Sequence, residues 1–110
     1  MHSISPFYHK CILNSIEQLS TSVKQLNLEL EPKPLQPHQR QLSLLPGQYL
    51  DIYIPQLDSI GGFSPISLST ELPTIQLAIK ESRHPVVQYL HNNSKVDDEI
   101  WVQSGGDFVY

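Results

Sequence analysis

Several short segments of this chain alternate apolar with polar residues at intervals of two. Residues 22–30 read Ser-Val-Lys-Gln-Leu-Asn-Leu-Glu-Leu, so Leu26, Leu28 and Leu30 alternate with Asn27 and Glu29. That is the period of a strand with one buried face. Residues 74–80 repeat it with Ile75, Leu77 and Ile79. Residues 11–19 carry it at Cys11 and Leu13 and, after a polar break, at Ile16. Residues 49–54 are rich in aromatic and β-branched side chains, which suit a pleated, half-buried surface. Residues 63–69 alternate as well, although Pro65 limits their pairing, and residues 98–102 predict a last strand.

What lies between these runs breaks them. Proline fixes φ and lacks a donor, and nine prolines scattered between apolar segments leave no long helical period. Residues 31–41, with Pro32, Pro34 and Pro37, predict a loop. Pro46-Gly47-Gln48 predicts a turn into the 49–54 strand, residues 58–62 a turn ending in Gly61-Gly62, and Ser104-Gly105-Gly106 a turn out of the last strand. One helix is predicted, over residues 84–92. Pro85 suits its first position, where no donor is needed. Ser82 is near enough to help cap it, Val86, Val87 and Leu90 share one face, and Asn92 and Asn93 can end it. The first ten residues predict a flexible N-terminus. Short strands separated by turn signals are the pattern of an all-β sandwich or barrel.

Composition narrows the function classes. A chain of 110 residues fits one domain. The formal net charge is −4 and no Lys/Arg run occurs, which argues against nucleic acid as a partner. No apolar stretch approaches the ~20 residues of a membrane span. The single cysteine, Cys11, allows neither an internal disulfide nor a cysteine metal cage. It reads as a small buried apolar residue, compatible with an intracellular setting, mitochondrial or cytoplasmic. The N-terminus lacks a secretory layout. The five histidines lack metal-ligand spacing, no nucleophile–base pair stands out, and Asp97, Asp98 and Glu99 read as a solvated turn, so neither a metal site nor a catalytic residue is predicted. Trp101 is predicted to be core, and His91 a polar residue of the last helical turn.

Four strings then occur in a telling order: Pro46-Gly47-Gln48-Tyr49-Leu50, Gly61-Gly62-Phe63-Ser64-Pro65-Ile66-Ser67, Leu77-Ala78-Ile79-Lys80 and Gly105-Gly106-Asp107-Phe108. In this the chain resembles the flavin-binding domain of the ferredoxin–NADP reductase superfamily, from about Cys11 to Tyr110. The resemblance implies a six-stranded antiparallel Greek-key barrel with one short helix, of the riboflavin-synthase-like kind, over residues 11–110. It implies FAD, with FMN as the other option, as cofactor. It also implies NAD(P)H as a partner only through a following nucleotide-binding domain, and these 110 residues contain no Gly-x-Gly-x-x-Gly fingerprint. By this resemblance the chain is the flavin-binding half of an oxidoreductase, expected to be a truncated form unable to bind nicotinamide alone.

The resemblance also assigns cofactor-binding positions: Gly61, Gly62, Phe63, Ser64, Ile79, Lys80, His84 and Val87. The superfamily's Arg-x-Tyr-Ser motif matches Gly61 to Ser64. Phe63 is then expected against the flavin ring and Ser64 near its redox edge. Two departures stand out. Glycine replaces the phosphate-pairing arginine at Gly61, removing a charged fork, which predicts weaker affinity unless Arg83 or Lys80 compensates. The helix start, usually Gly-x-x-Ser/Thr, reads His84-Pro85-Val86-Val87, so one donor and one hydroxyl are missing. The alternative reading is a non-catalytic β-barrel binding module that has lost its flavin.

Overall fold

The computed structural model describes residues 8–32, 42, 44, 48–67 and 71–105. Six strands and one helix follow in the order β1 (His9–Gln18), β2 (Val23–Leu30), β3 (Tyr49–Ile54), β4 (Ser59–Phe63), β5 (Thr74–Lys80), α1 (Pro85–Asn92) and β6 (Glu99–Gly105). All pairings are antiparallel, in the spatial order β4-β3-β6-β1-β2-β5. The last strand lies in the middle of the sheet, between the first and third. The two outer strands curl toward each other beyond β4, where Pro65 bridges Leu77 and the Ile66 N–H donates to the Gln76 carbonyl at 2.8 Å. The architecture is the expected antiparallel six-stranded, barrel-like sheet with one short helix; among the described residues the sheet is not closed, and only the isolated Pro65–Leu77 bridge spans its two edges.

Register explains the alternation. Leu26 faces Leu77 and Leu28 faces Ile75 across β2 and β5, while Leu28 also faces Leu13 across β1 and β2. On the other side of the barrel Ile52 faces Val102, and Cys11 faces Ile100. All of these side chains are buried in one cluster, which also takes in Leu50, Ile54, Ile79, Val86 and Leu90. A one-residue slip would turn every one of them to the opposite face, so burial itself pins the pairing. The polar break in β1 is a β-bulge between Leu13 and Ser15. The extra residue shifts the phase of the strand, so Cys11 and Leu13 point inward and Ile16, at an odd offset from both, still packs against the core.

The structure moves several predicted boundaries. The turn expected at 58–62 lies earlier, at 55–58, where Asp58 takes a positive φ of 50° and its N–H donates to the Ile54 carbonyl. Gly61 and Gly62 are paired strand residues of β4. The strand expected at 63–69 is instead the end of β4, the bridge at Pro65 and a bend, with residues 68–70 outside the described set. Ser104 and Gly105 belong to β6, not to a turn. Trp101 is half-buried rather than core, because its register partners are Tyr53 and Lys10, both on the outer face. The predicted 46–47 turn, most of the 31–41 loop and Gly106 to Phe108 lie outside the described residues.

Helix α1 begins as its proline predicts, with His84 as N-cap, and packs on β4 and β5. His91 is buried, and its Nε2 donates to the Ile79 carbonyl at 2.6 Å, which ties the last turn of the helix to β5. Lys24 adds a second tie by donating to the His91 carbonyl at 2.5 Å. No helix among the described residues is long and apolar enough to cross a membrane.

Cys11 is fully buried, and burial pushes its thiol up to about 12, with Glu31 adding a smaller contribution in the same direction. The folded chain therefore holds the proton that an unfolded thiol releases near its ordinary value of 9.0. Stability from this group is complete below pH 9 and is lost as pH rises toward 12. The thiolate is the reactive form, so native protein at pH 8 is expected to resist a thiol-reactive dye and to label fully in denaturant. Rapid labelling of the native protein would contradict the buried placement.

Candidate functional site

The β3–β4 hairpin builds the site. Its register sets Ile52 opposite Gly61, Asp51 opposite Gly62 and Leu50 opposite Phe63. Directly opposed residues share a face. Gly61 and Phe63 therefore stand on the core face with Ile52 and Leu50. Gly62 stands on the outer face with Asp51, and Tyr49 and Ser64 continue that outer face by alternation. Tyr49 is 41% exposed, although large and aromatic.

A cleft of about 420 Å³ opens here. Among the described residues it is lined by Tyr49, Asp51, Gly62, Phe63 and Ser64. Its volume lies in the range of roughly 300–1,000 Å³ usual for small-molecule sites. The Tyr49 ring and the Asp51 carboxylate flank the bare backbone of Gly62. A Cβ added there would meet Tyr49 ring carbons at 3.5 and 3.6 Å and Asp51 Oδ1 at 3.8 Å. Phe63 is shared: half-buried, it packs against the hydrophobic core and also forms part of the cleft wall. Together the walls offer two aromatic rings, the hydroxyls of Tyr49 and Ser64, one carboxylate and exposed strand backbone. That donor set fits a planar heterocycle carrying hydrogen-bonding edges.

The Asp51 charge is felt across the outer face. Burial first, then the Asp51 carboxylate and Tyr53, hold the Tyr8 phenol above its ordinary value. Tyr8 meets Tyr53 edge-on, with ring centroids 6.1 Å apart. Tyr53 in turn donates to Asp58 at 2.9 Å, which fixes the hairpin end of β3.

Gly61 has a different constraint. A Cβ at this position would lie 3.0 and 3.2 Å from ring carbons of Phe63 and 3.2 Å from the Cβ of Val86. The first helical turn and the Phe63 ring thus close over the glycine. The position matching the superfamily's arginine is crowded, and a side chain there requires Phe63 and Val86 to shift.

The helix start is likewise occupied. Pro85 has no N–H. The Val86 N–H donates to His84 Nδ1 at 3.2 Å, and the His84 N–H donates to Ser82 Oγ at 3.2 Å. Val87 is 6% exposed, its side chain committed to the core. Ile79 is also a core residue, with its carbonyl engaged by His91. Lys80 is exposed at the far end of β5, opposite Val23. Of the eight cofactor positions named from sequence, the structure brings Gly62, Phe63 and Ser64 together on the cleft, with Gly61 beneath Phe63. Ile79, Lys80, His84 and Val87 do not line it.

The described residues fit the ring portion of a flavin better than its phosphate arm. An oxidoreductase FAD-binding domain family matches residues 10–110. The chain belongs to that family. Within the FAD-binding domain family, the zebrafish (Danio rerio) protein "Oxidoreductase NAD-binding domain-containing protein 1" is 35% identical over 94 residues, covering 83% of this chain and 32% of that protein. The human protein of the same name is 34% identical over 94 residues, 83% of this chain and 28% of its own length. The chain thus spans about a third of the curated relatives it matches. Among solved structures, the flavohem-like FAD/NAD-binding domain of nitric oxide dioxygenase from Vibrio cholerae superposes with a TM-score of 0.68 at 24% identity, covering 93% of this chain and 45% of that one. These likenesses carry the fold of the FAD-binding domain.

Tyr49 and Asp51 were not singled out from sequence as site residues. The signal was available: once Leu50, Ile52 and Ile54 are read as inward, Tyr49 and Asp51 must face outward. A short hairpin then sets them beside Gly62.

The two glycines are expected to respond oppositely to alanine. Gly61→Ala puts a methyl into contacts of 3.0–3.2 Å and should cost about 1–3 kcal/mol, as overpacking does. Gly62→Ala meets ordinary van der Waals distances and should be neutral, or gain up to ~1 kcal/mol from lost unfolded-state freedom. Urea denaturation of both variants checks this, and equal stabilities would refute the packing difference.

Proposed function

We propose that this chain is the flavin-carrying half of an NAD(P)H-dependent oxidoreductase, with the flavin ring seated in the cleft between Tyr49 and Ser64. The observation that carries the reading is the cleft itself. It sits on the Phe63-Ser64 positions that match the family's flavin motif, in a chain that the FAD-binding family covers from residue 10 onward. When bound, flavin supplies hydride and electron chemistry, and the protein supplies orientation and electrostatics.

The roles follow from side-chain chemistry. Tyr49 and Phe63 offer aromatic surface to a planar ring, for which offset or edge contacts are favourable. The Ser64 hydroxyl can donate to or accept from the ring edge. Asp51, an acceptor when ionised, suits an N–H or O–H of the ligand. NAD(P)H is expected from a separate domain, a view supported by the relatives' printed name and by the third of their length that this chain matches.

Purified protein, after incubation with flavin and removal of excess, should retain the absorbance band near ~450 nm that the cofactor carries. Tyr49→Ala should weaken flavin binding about 2- to 10-fold, the equivalent of ~0.5–1.5 kcal/mol for an aromatic contact. Lys95→Ala, at an exposed turn beyond the helix, should leave it unchanged. Equal affinity in both variants, measured by fluorescence titration, would remove Tyr49 from the site.

A further inference from the structure

We infer that this chain recognises flavin by its ring and not by its phosphates, so that riboflavin, FMN and FAD bind alike; the inference rests on the flavin reading proposed above.

Three independent observations lead there. The first is steric. A phosphate-binding side chain at position 61 would need a Cβ, and that Cβ has Phe63 ring carbons at 3.0 and 3.2 Å and the Val86 Cβ at 3.2 Å. The Val86 Cβ is fixed to the helix backbone and cannot swing aside as a side-chain tip does. An arginine here is thus disfavoured by the way helix and strand meet. A side chain at this position requires Phe63 and Val86 to give by a few tenths of an ångström.

The second concerns donors. The N–H groups of a helix's first turn bind anions only when they are free to point at the ligand. Here the first position is proline. The second, Val86, gives its N–H to the His84 imidazole, and the N-cap N–H is held by Ser82. Of the first-turn donors, only the Val87 N–H is left without such a partner among the described residues. To gain a second donor, a phosphate would have to displace the His84 cap. Exchanging one hydrogen bond for another leaves little net gain.

The third is charge. The polar wall of the cleft holds a carboxylate, Asp51, and no cation among the described residues. Lys10 is committed to Glu31 and Glu99, at 3.4 and 3.2 Å, and Lys24 to the His91 carbonyl. An anionic arm leaving the cleft meets no cation among the described lining residues, so it adds no attraction. The N–H and O–H groups of the ring and ribityl chain, shared by all three flavins, can donate to the Asp51 carboxylate.

The test is a set of fluorescence-quenching titrations of the full chain with riboflavin, FMN and FAD, at low and at high salt. The three dissociation constants should agree within threefold, and added salt should not weaken FMN binding. An advantage of FMN or FAD over riboflavin greater than threefold overturns the inference while leaving the flavin reading intact. If none of the three binds, the flavin reading fails and takes this inference with it. Arg83→Ala provides a control on the exposed cation next to the helix. It should leave all three constants unchanged, and a selective loss of FMN and FAD affinity would show that a phosphate contact exists after all.

Discussion

Helix α1 meets strand β4 at Gly61, where Val86 and the Phe63 ring close over a position that has no side chain. This contact governs several features at once. It lets the helix lie against the sheet, burying Val86, Val87 and Leu90 in the common core. It directs the Phe63 ring so that one part packs inward and another walls the cleft. It also removes the one residue type, arginine, that would otherwise reach from the strand toward a phosphate. Missing side chains are often read as lost function. In this chain the missing side chain eases close packing of helix on strand, and the cleft lies on the other face of the hairpin.

The two faces of β4 divide the work. The core face, through Gly61 and Phe63, couples the hairpin to the helix. The outer face, through Gly62 and with Ser64 just past the strand's end, joins Tyr49 and Asp51 of β3 in the cleft. Because strand side chains alternate, a single five-residue strand can serve both roles without conflict. The hairpin is anchored at its far end by the Tyr53–Asp58 hydrogen bond and along its length by the pairing of β3 with β6. A site built on paired strands in this way is held more rigidly than one built on loops.

Much of this was legible in the sequence wherever one physical rule dominated. The alternation in 22–30 and 74–80 gave strands β2 and β5 because each buries one face, and Pro85 marked the first residue of α1. The rule failed where two signals competed. Gly61-Gly62 looked like a turn because glycine usually relieves backbone strain. Here the first glycine makes room for a helix and the second lies flat between a tyrosine and an aspartate. Trp101 looked like core on hydrophobicity alone, yet its register with Tyr53 and Lys10 turns it outward. The capping of the helix start by its own His84 could not be read from composition. It depends on an imidazole nitrogen reaching the Val86 N–H, a three-dimensional detail with no sequence period behind it.

Where a flavin ring makes contact is read directly by amide NMR on the full chain during riboflavin addition. Shift changes are expected to concentrate at Tyr49, Asp51, Gly62, Phe63 and Ser64, with the amides of His84, Val86 and Val87 unmoved. Changes centred on the helix start, with the β3–β4 residues silent, would contradict this placement of the ring.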